Sequence, residues 1–150
     1  MRIIVGIGVC LTVAGTQVLA DVIEPPYELR CDFDAFASAV ASPGSTEFAI
    51  DVQHFPGLDS VSFFNINIAT RSALAEGANI ESGRVVVEAW PSTWTFTEYT
   101  FTGNIYVTQV FIENEPDGEQ GVFRAIRSRQ WASLGSVYGI QQYGNCRVIR

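Results

Sequence analysis

Hydrophobic and polar residues alternate along most of the chain from Thr46 onward, with the two-residue period that is typical of β-strands. We predict strands for the segments EFAIDVQHF, SVSFFNINIA, RVVVEAW, VFRAIRSRQWASL and SVYGIQQYGNC. The stretch WTFTEYTFTGNIYVTQVFI predicts a hairpin that turns at Gly103-Asn104. Pro56-Gly57 and a Pro-Asp-Gly sequence break the pattern between strands. A strand every 10 to 14 residues or so, with little helix between, favours an antiparallel meander over βαβ units.

Two segments depart from this pattern. DFDAFASAVASPG predicts a short N-terminal helix that ends at Pro43-Gly44, because apolar residues recur there at helical spacing: Phe33, Phe36, Ala37 and Val40. TRSALAEGANIESG predicts either a helical turn or a long loop, since Gly77 and Gly83 interrupt it.

A meander of about seven or eight strands must bury one face, either by closing into a barrel or by folding into two packed sheets. Closure removes exposed strand edges. We therefore expect an all-β domain with one short N-terminal helix, folded as a barrel or flattened barrel, with a β-sandwich as the alternative.

The first twenty residues, MRIIVGIGVCLTVAGTQVLA, have the features of a cleaved secretion signal. Arg2 precedes a short apolar run, and Val18-Leu19-Ala20 fits the small-residue cleavage rule. We expect cleavage after Ala20, a single β-rich domain over residues 21–150, and a periplasmic or secreted location. The apolar run is too short to cross a membrane, so we expect no membrane anchor.

Cleavage would remove Cys10 and leave Cys31 and Cys146 near opposite ends of the mature chain. In an oxidising compartment such an isolated pair most simply forms a disulfide. The alternatives, two free thiols or a metal-binding pair, lack the close spacing and additional ligands of a zinc site. The sequence therefore predicts a disulfide and neither a metal nor a cofactor.

The chain is acidic, with a formal net charge of −7, and its nine basic residues are all arginines. Nucleic-acid binding depends on basic patches that neutralise phosphates, and no basic run occurs here. The charge also argues against an anionic membrane surface as the partner.

The predicted hairpin places Glu98 opposite Gln109 and Phe96 opposite Phe111. One interpretation is a small-ligand cavity lined by Trp94, Phe96 and Phe111, in which Glu98 and Gln109 bind a polar group. The other is a solvent-facing Glu–Gln pair beside aromatic residues that pack on another strand. A β-bulge near Glu98 would change which side chains share a face.

The segment RAIRSR contains Arg124, Arg127 and Arg129, which could hold a carboxylate or phosphate. On a strand Arg127 and Arg129 share one face, where we expect solvent or pairing with nearby acids. Arg124 shares its face with apolar neighbours. Because a buried arginine needs a carboxylate partner, we consider Glu98 as the partner of Arg124.

His54 is the only histidine of the chain, so a histidine-dependent hydrolase would have to use it. Asp51 lies three residues away on the opposite face of the strand, and the G-x-S-x-G sequence of hydrolases does not occur. No motif singles out a carboxylate pair of the glycosidase type. We expect His54 to be a strand-end residue with a surface or packing role.

The segments TGNIYVTQVF, GVFRAIRSRQ and QQYGNC, within residues 100–146, resemble small secreted bacterial proteins of unknown function. The shared features are a Gly-Asn hairpin, a Thr-x-Val-Phe strand, a Ser-Arg pair and a terminal Tyr-Gly-x-Cys. The resemblance implies export and a β-rich fold, and it implies no activity.

We therefore expect a non-catalytic binding domain for a small ligand or a protein partner. An envelope interaction or inhibitor protein is the alternative, and a small hydrolase that uses His54 is a third hypothesis.

Overall fold

The computed structural model describes residues 28–44, 46–77, 84–100, 103–112, 121–133 and 136–149. The predicted secretion signal and the Pro-Asp-Gly turn lie outside the described residues.

Eight antiparallel strands form a closed barrel in which each strand pairs with its neighbours in sequence and the last pairs with the first. The strands are β1 (Glu28–Ala41), β2 (Ala49–Asn67), β3 (Ser72–Gly77), β4 (Arg84–Trp90), β5 (Thr93–Tyr99), β6 (Ile105–Phe111), β7 (Val122–Ser133) and β8 (Ser136–Ile149). The predicted antiparallel meander and its closure into a barrel are confirmed, and the sandwich alternative is wrong.

The predicted N-terminal helix is wrong, because its residues form most of β1 and pair with strands on both sides. The helical spacing comes from a β-bulge at Asp34, where the pairing moves from Phe33 opposite Gly144 to Ala35 opposite Tyr143. The extra residue turns Phe33 and Phe36 to the same side of the sheet. A bulged strand therefore reproduces the i, i+3, i+7 spacing of an amphipathic helix.

The helical turn or loop predicted near Ser72 is also wrong for residues 72–77, which form β3. Ala73 and Ala75 are buried and point into the barrel opposite Val85 and Phe63. Alanine has low strand propensity, but small side chains fit here because large ones from neighbouring strands occupy the space. Tertiary packing thus overrides the local preference.

Most inward side chains of the barrel form an apolar core. Phe63 stacks on Phe96 with ring centroids 4.1 Å apart, and Trp94 meets Phe123 edge-on at 6.2 Å. The remaining fully buried apolar residues include Leu29, Cys31, Phe33, Val61, Val85, Val87, Val110 and Cys146.

Four neighbouring strands are longer than the rest and continue past one end of the barrel. We call this extension the wall, which consists of residues 131–133 of β7, beyond the pairing with β6, 136–143 of β8, 35–41 of β1 and 49–55 of β2. Its pairing extends to Ser133 opposite Ser136 and to Val40 opposite Ala49. The wall meets the barrel at the β1 bulge, where residues 55–58 of β2 are left out of the β1 pairing. This interruption contains the predicted Pro56-Gly57 break, although β2 continues through it.

Cys31 and Cys146 lie directly opposite each other on β1 and β8 and form the predicted disulfide. Both residues are completely buried in the barrel core. The bond joins the first strand to the last across 115 residues of sequence, so it covalently closes the barrel.

We expect reduction of this disulfide, or the double substitution Cys31→Ala/Cys146→Ala, to lower the free energy of unfolding by about 4–5 kcal/mol, because a long loop is released in the unfolded chain. Urea unfolding with and without reductant measures the change. An unchanged midpoint in protein whose thiols titrate as fully reduced would contradict this account.

Candidate functional site

A charged pair lies inside the barrel at the end where the wall begins. Arg127 Nη2 donates a hydrogen bond of 3.2 Å to Glu98 Oε2. Arg127 is only 1% exposed and Glu98 only 2%. Ionised side chains are rarely buried to this extent unless they are paired, so the two residues depend on each other.

The strand register brings a polar set of side chains to this place. Glu98 of β5 lies opposite Tyr106 of β6, and Thr108 of β6 lies opposite Arg127 of β7. Directly opposed residues of antiparallel strands point to the same face. Because alternate residues along β6 and β7 also share a face, Tyr106, Thr108, Arg127 and Arg129 all point inward.

Aromatic rings lie beside the charged pair and follow one another along the inner face of the wall. The Arg127 guanidinium carbon lies 4.6 Å from the centre of the Tyr106 ring, and that of Arg129 lies 4.9 Å from the same ring. Arg129 also lies 4.5 Å from the Trp131 ring, which stacks on Tyr138 at 4.9 Å. Cation–π contacts and ring stacking therefore form one ladder from the barrel interior along the inner face of the wall.

A second carboxylate lies near this cluster. Asp59 of β2 accepts a hydrogen bond of 3.1 Å from Gln142 Nε2 of β8. Both side chains point inward from strands that flank β1.

Burial raises the pKa of Glu98 to about 7 from its ordinary value of 4.5. The positive charge of Arg127 lowers this pKa and the negative charge of Asp59 raises it, and both effects are smaller than that of burial. Glu98 therefore exchanges its proton close to neutral pH, inside the barrel.

Several buried polar atoms of the cluster have no hydrogen-bond partner among the described residues: Glu98 Oε1, Thr108 Oγ1, Arg127 Nε, Arg127 Nη1 and Arg129 Nε. A buried polar atom left unsatisfied costs about 1–3 kcal/mol, more if it is charged. These unsatisfied atoms are concentrated at one place, around the Arg127–Glu98 pair.

The residues predicted to line a cavity divide between the two faces of the sheet. Trp94, Phe96 and Glu98 point into the barrel and are buried. Gln109 and Phe111 point outward, with Gln109 exposed and Phe111 half-buried. The predicted pairing of Glu98 with Gln109 is wrong, and no observation tests a ligand-binding role for these residues.

The hairpin loop explains this error. Thr100 N–H donates to the Asn104 carbonyl, Gly103 N–H donates to the Thr100 carbonyl, and Gly103 has a φ of 80°. The loop between Thr100 and Asn104 therefore has three residues and ends with a left-handed glycine, whereas the predicted hairpin turns on the two residues Gly103-Asn104. The register moves by three positions, an odd number, so every side chain of β6 faces the other way relative to β5.

The arginines also exchange their predicted places. Arg124 is exposed on the outer face, whereas Arg127 is buried and pairs with Glu98. Phe123 lies opposite Cys146, so the disulfide sets the inward face of β7 to Phe123, Ala125 and Arg127. The apolar residues Val122 and Ile126 suggest instead that the face of β7 with Arg124 points inward. The local sequence pattern therefore does not show whether Arg124 or Arg127 is buried.

His54 lies on the exposed outer face of the wall, away from the cluster. Its Nε2 is 3.9 Å from Asp34 Oδ2, which is longer than a hydrogen bond. Both side chains are more than half exposed.

Within the described ranges, no group of three or more His, Cys, Asp or Glu side chains is placed to hold a metal ion. No helix in that part of the chain is long and apolar enough to cross a membrane. Fold and site together define an eight-stranded antiparallel barrel with a charged pair buried at one end. No protein-family model, curated protein or solved structure matches the chain.

We expect Glu98→Gln to remove a pH-dependent cost of folding. Between the unfolded pKa of 4.5 and the folded pKa of about 7, the folded state binds more protons than the unfolded state. The free energy of unfolding attributable to Glu98 therefore falls as the pH rises through this window, by roughly 3 kcal/mol in total.

Urea unfolding of wild type and Glu98→Gln from acidic to mildly alkaline pH measures this difference. Glu76→Gln makes the same chemical change on an exposed residue of β3 and is the control. The account fails if the stability difference between wild type and Glu98→Gln does not change with pH.

Proposed function

We propose that this protein is a non-catalytic, periplasmic or secreted barrel that binds a small ligand at the end of the barrel where the wall begins. The observation that carries the proposal is the buried Arg127–Glu98 pair, whose remaining polar atoms lack partners among the described residues. The leader-like N-terminal sequence and the disulfide support the location outside the cytoplasm.

Stability alone is a poor reason to keep these groups inside the barrel. Burying an ion pair costs desolvation energy that its own attraction often fails to recover, and apolar residues of similar size are often as stable. The rest of the barrel interior is filled with apolar side chains such as Phe63 and Phe96. Polar groups placed at one end and left partly unsatisfied are typical of sites where a ligand completes the hydrogen bonds.

The inner face of the wall supplies apolar contacts for the rest of the ligand. Trp131 and Tyr138 stack on the β7–β8 side, and Phe36 stacks on Phe55 with ring centroids 6.2 Å apart on the β1–β2 side. A few convergent polar groups beside aromatic surface are the usual composition of a small-molecule site.

An uncharged fluorescent probe, N-phenylnaphthylamine, tests this proposal. We expect saturable binding that is weakened by roughly tenfold in Trp131→Ala, since an aromatic contact at a binding site is worth a kcal/mol or more. Trp90→Ala removes an exposed tryptophan at the opposite end of the barrel and should leave the affinity unchanged.

Equal weakening by the two substitutions would show that the probe coats exposed apolar surface. Absence of saturable binding would count against a ligand site.

An interaction with another protein is the second candidate function, and the edge of β2 favours it. Residues 49–54, 59 and 60 of β2 pair with β1, while among the described residues β3 pairs with β2 only from Val61 onward. Ile50 and Val52 point outward from this edge and are each 74% exposed. An exposed apolar strand edge is a ready template for the addition of another strand.

A second copy of the chain is the most direct probe of this edge. If the edge accepts strands, sedimentation velocity should show a dimer that forms with increasing concentration and is abolished by Val52→Lys. Leu74→Lys, a change on an exposed apolar residue of β3, is the control. A monomer throughout the concentration range would count against strand addition.

A further inference from the structure

The polar cluster has an excess of hydrogen-bond donors over acceptors. Arg127 Nε, Arg127 Nη1 and Arg129 Nε are buried N–H donors without a partner among the described residues. The unpartnered oxygens are Glu98 Oε1 and the hydroxyl of Thr108, which can donate as well as accept. A ligand that satisfies this set must bring acceptor oxygens.

The positions of the two guanidinium groups point to an anion. Arg127 and Arg129 lie within 5 Å of the centre of one Tyr106 ring, at 4.6 and 4.9 Å. Glu98 forms an ion pair with Arg127, but no described carboxylate forms one with Arg129. A positive charge in a partly dry site interacts strongly with a nearby anion, so a bound anion would stabilise the unpaired guanidinium of Arg129.

On the basis of the proposed function, we infer that the ligand is a small aromatic monocarboxylic acid. Its carboxylate accepts hydrogen bonds from Arg127 and Arg129, and its ring lies along the Trp131–Tyr138 stack of the wall. Guanidinium groups bind carboxylates with good geometry and strength, which fits a site built from two arginines.

A single negative charge suits this site better than a phosphate. Glu98 already balances one arginine, and Asp59 lies close enough to influence Glu98. A phosphate carries a charge of about −1.5 to −2 near neutral pH, so both carboxylates would repel it more strongly.

The ring of the ligand would extend the ladder of cation–π contacts and stacked rings that the protein already has. Arg129 contacts both Tyr106 and Trp131, and Trp131 stacks on Tyr138 with the rings nearly parallel at 8°. A planar aromatic acid adds one further ring to this ladder while its carboxylate reaches the guanidinium groups.

Isothermal titration calorimetry with three probes that share one ring system tests this inference. The probes are naphthoate, its uncharged amide and the cation naphthylmethylammonium. We expect naphthoate to bind at least about tenfold more tightly than the amide, because hydrogen bonds to charged groups are the stronger ones. Arg129→Gln should remove most of this preference, and it is chosen because Arg129 is only half-buried and does not carry the buried ion pair.

Arg124→Gln is the matched control, since it makes the same change on the exposed outer face of the same strand and should keep the preference. Equal binding of naphthoate and the amide would overturn the acid inference and leave a small-ligand site intact. Tighter binding of the cation would also overturn it. A preference for naphthoate that survives in Arg129→Gln would show that Arg129 does not bind the carboxylate and would overturn the two-arginine site. Failure of all three probes to bind would overturn the proposed function as well.

Discussion

The antiparallel pairing of β1 with β8 is the constraint on which the rest of the barrel depends. It closes the sheet, and the disulfide between Cys31 and Cys146 holds the two strands in one register. With both cysteines in the core, the inward face of each strand is set. Phe123 of β7 lies opposite Cys146 and therefore also points inward. Arg127 lies four residues further along the same strand, so it points to the same face. The position of the charged cluster therefore follows from how the barrel closes.

Closure also explains why the two ends of the barrel differ. Through most of the barrel the inward side chains are apolar and pack against each other, as Phe63 does on Phe96. At the end where the wall begins, the bulge at Asp34 changes the phase of β1, and the four long strands continue as a wall. Charged groups lie at the junction between packed core and wall, and several of their polar atoms have no hydrogen-bond partner among the described residues.

The buried pair gives this junction its chemical character. Burial raises the pKa of Glu98 to about 7, although the positive charge of Arg127 beside it acts in the opposite direction. Glu98 can therefore lose or gain a proton as the surroundings of the cluster change, while Arg129 and Tyr106 stay held by cation–π contacts. The anionic ligand that we propose would further favour the protonated form of Glu98, because a second negative charge nearby disfavours the ionised carboxylate.

The sequence by itself determined that the chain is β-rich, that its strands follow one another as an antiparallel meander, and that Cys31 pairs with Cys146. Alternation, turn residues and cysteine count are local or compositional signals, so these features needed no knowledge of the folded chain. It also singled out Glu98 as an unusual carboxylate among aromatic residues and suggested an arginine partner. Only the tertiary structure decided that the arginine is Arg127, because a two-residue period defines two faces without stating which one is buried. One extra residue at Asp34, or an odd shift of register such as the three positions at the Gly103 loop, reverses those faces, and the pairing across the closed barrel determines the result.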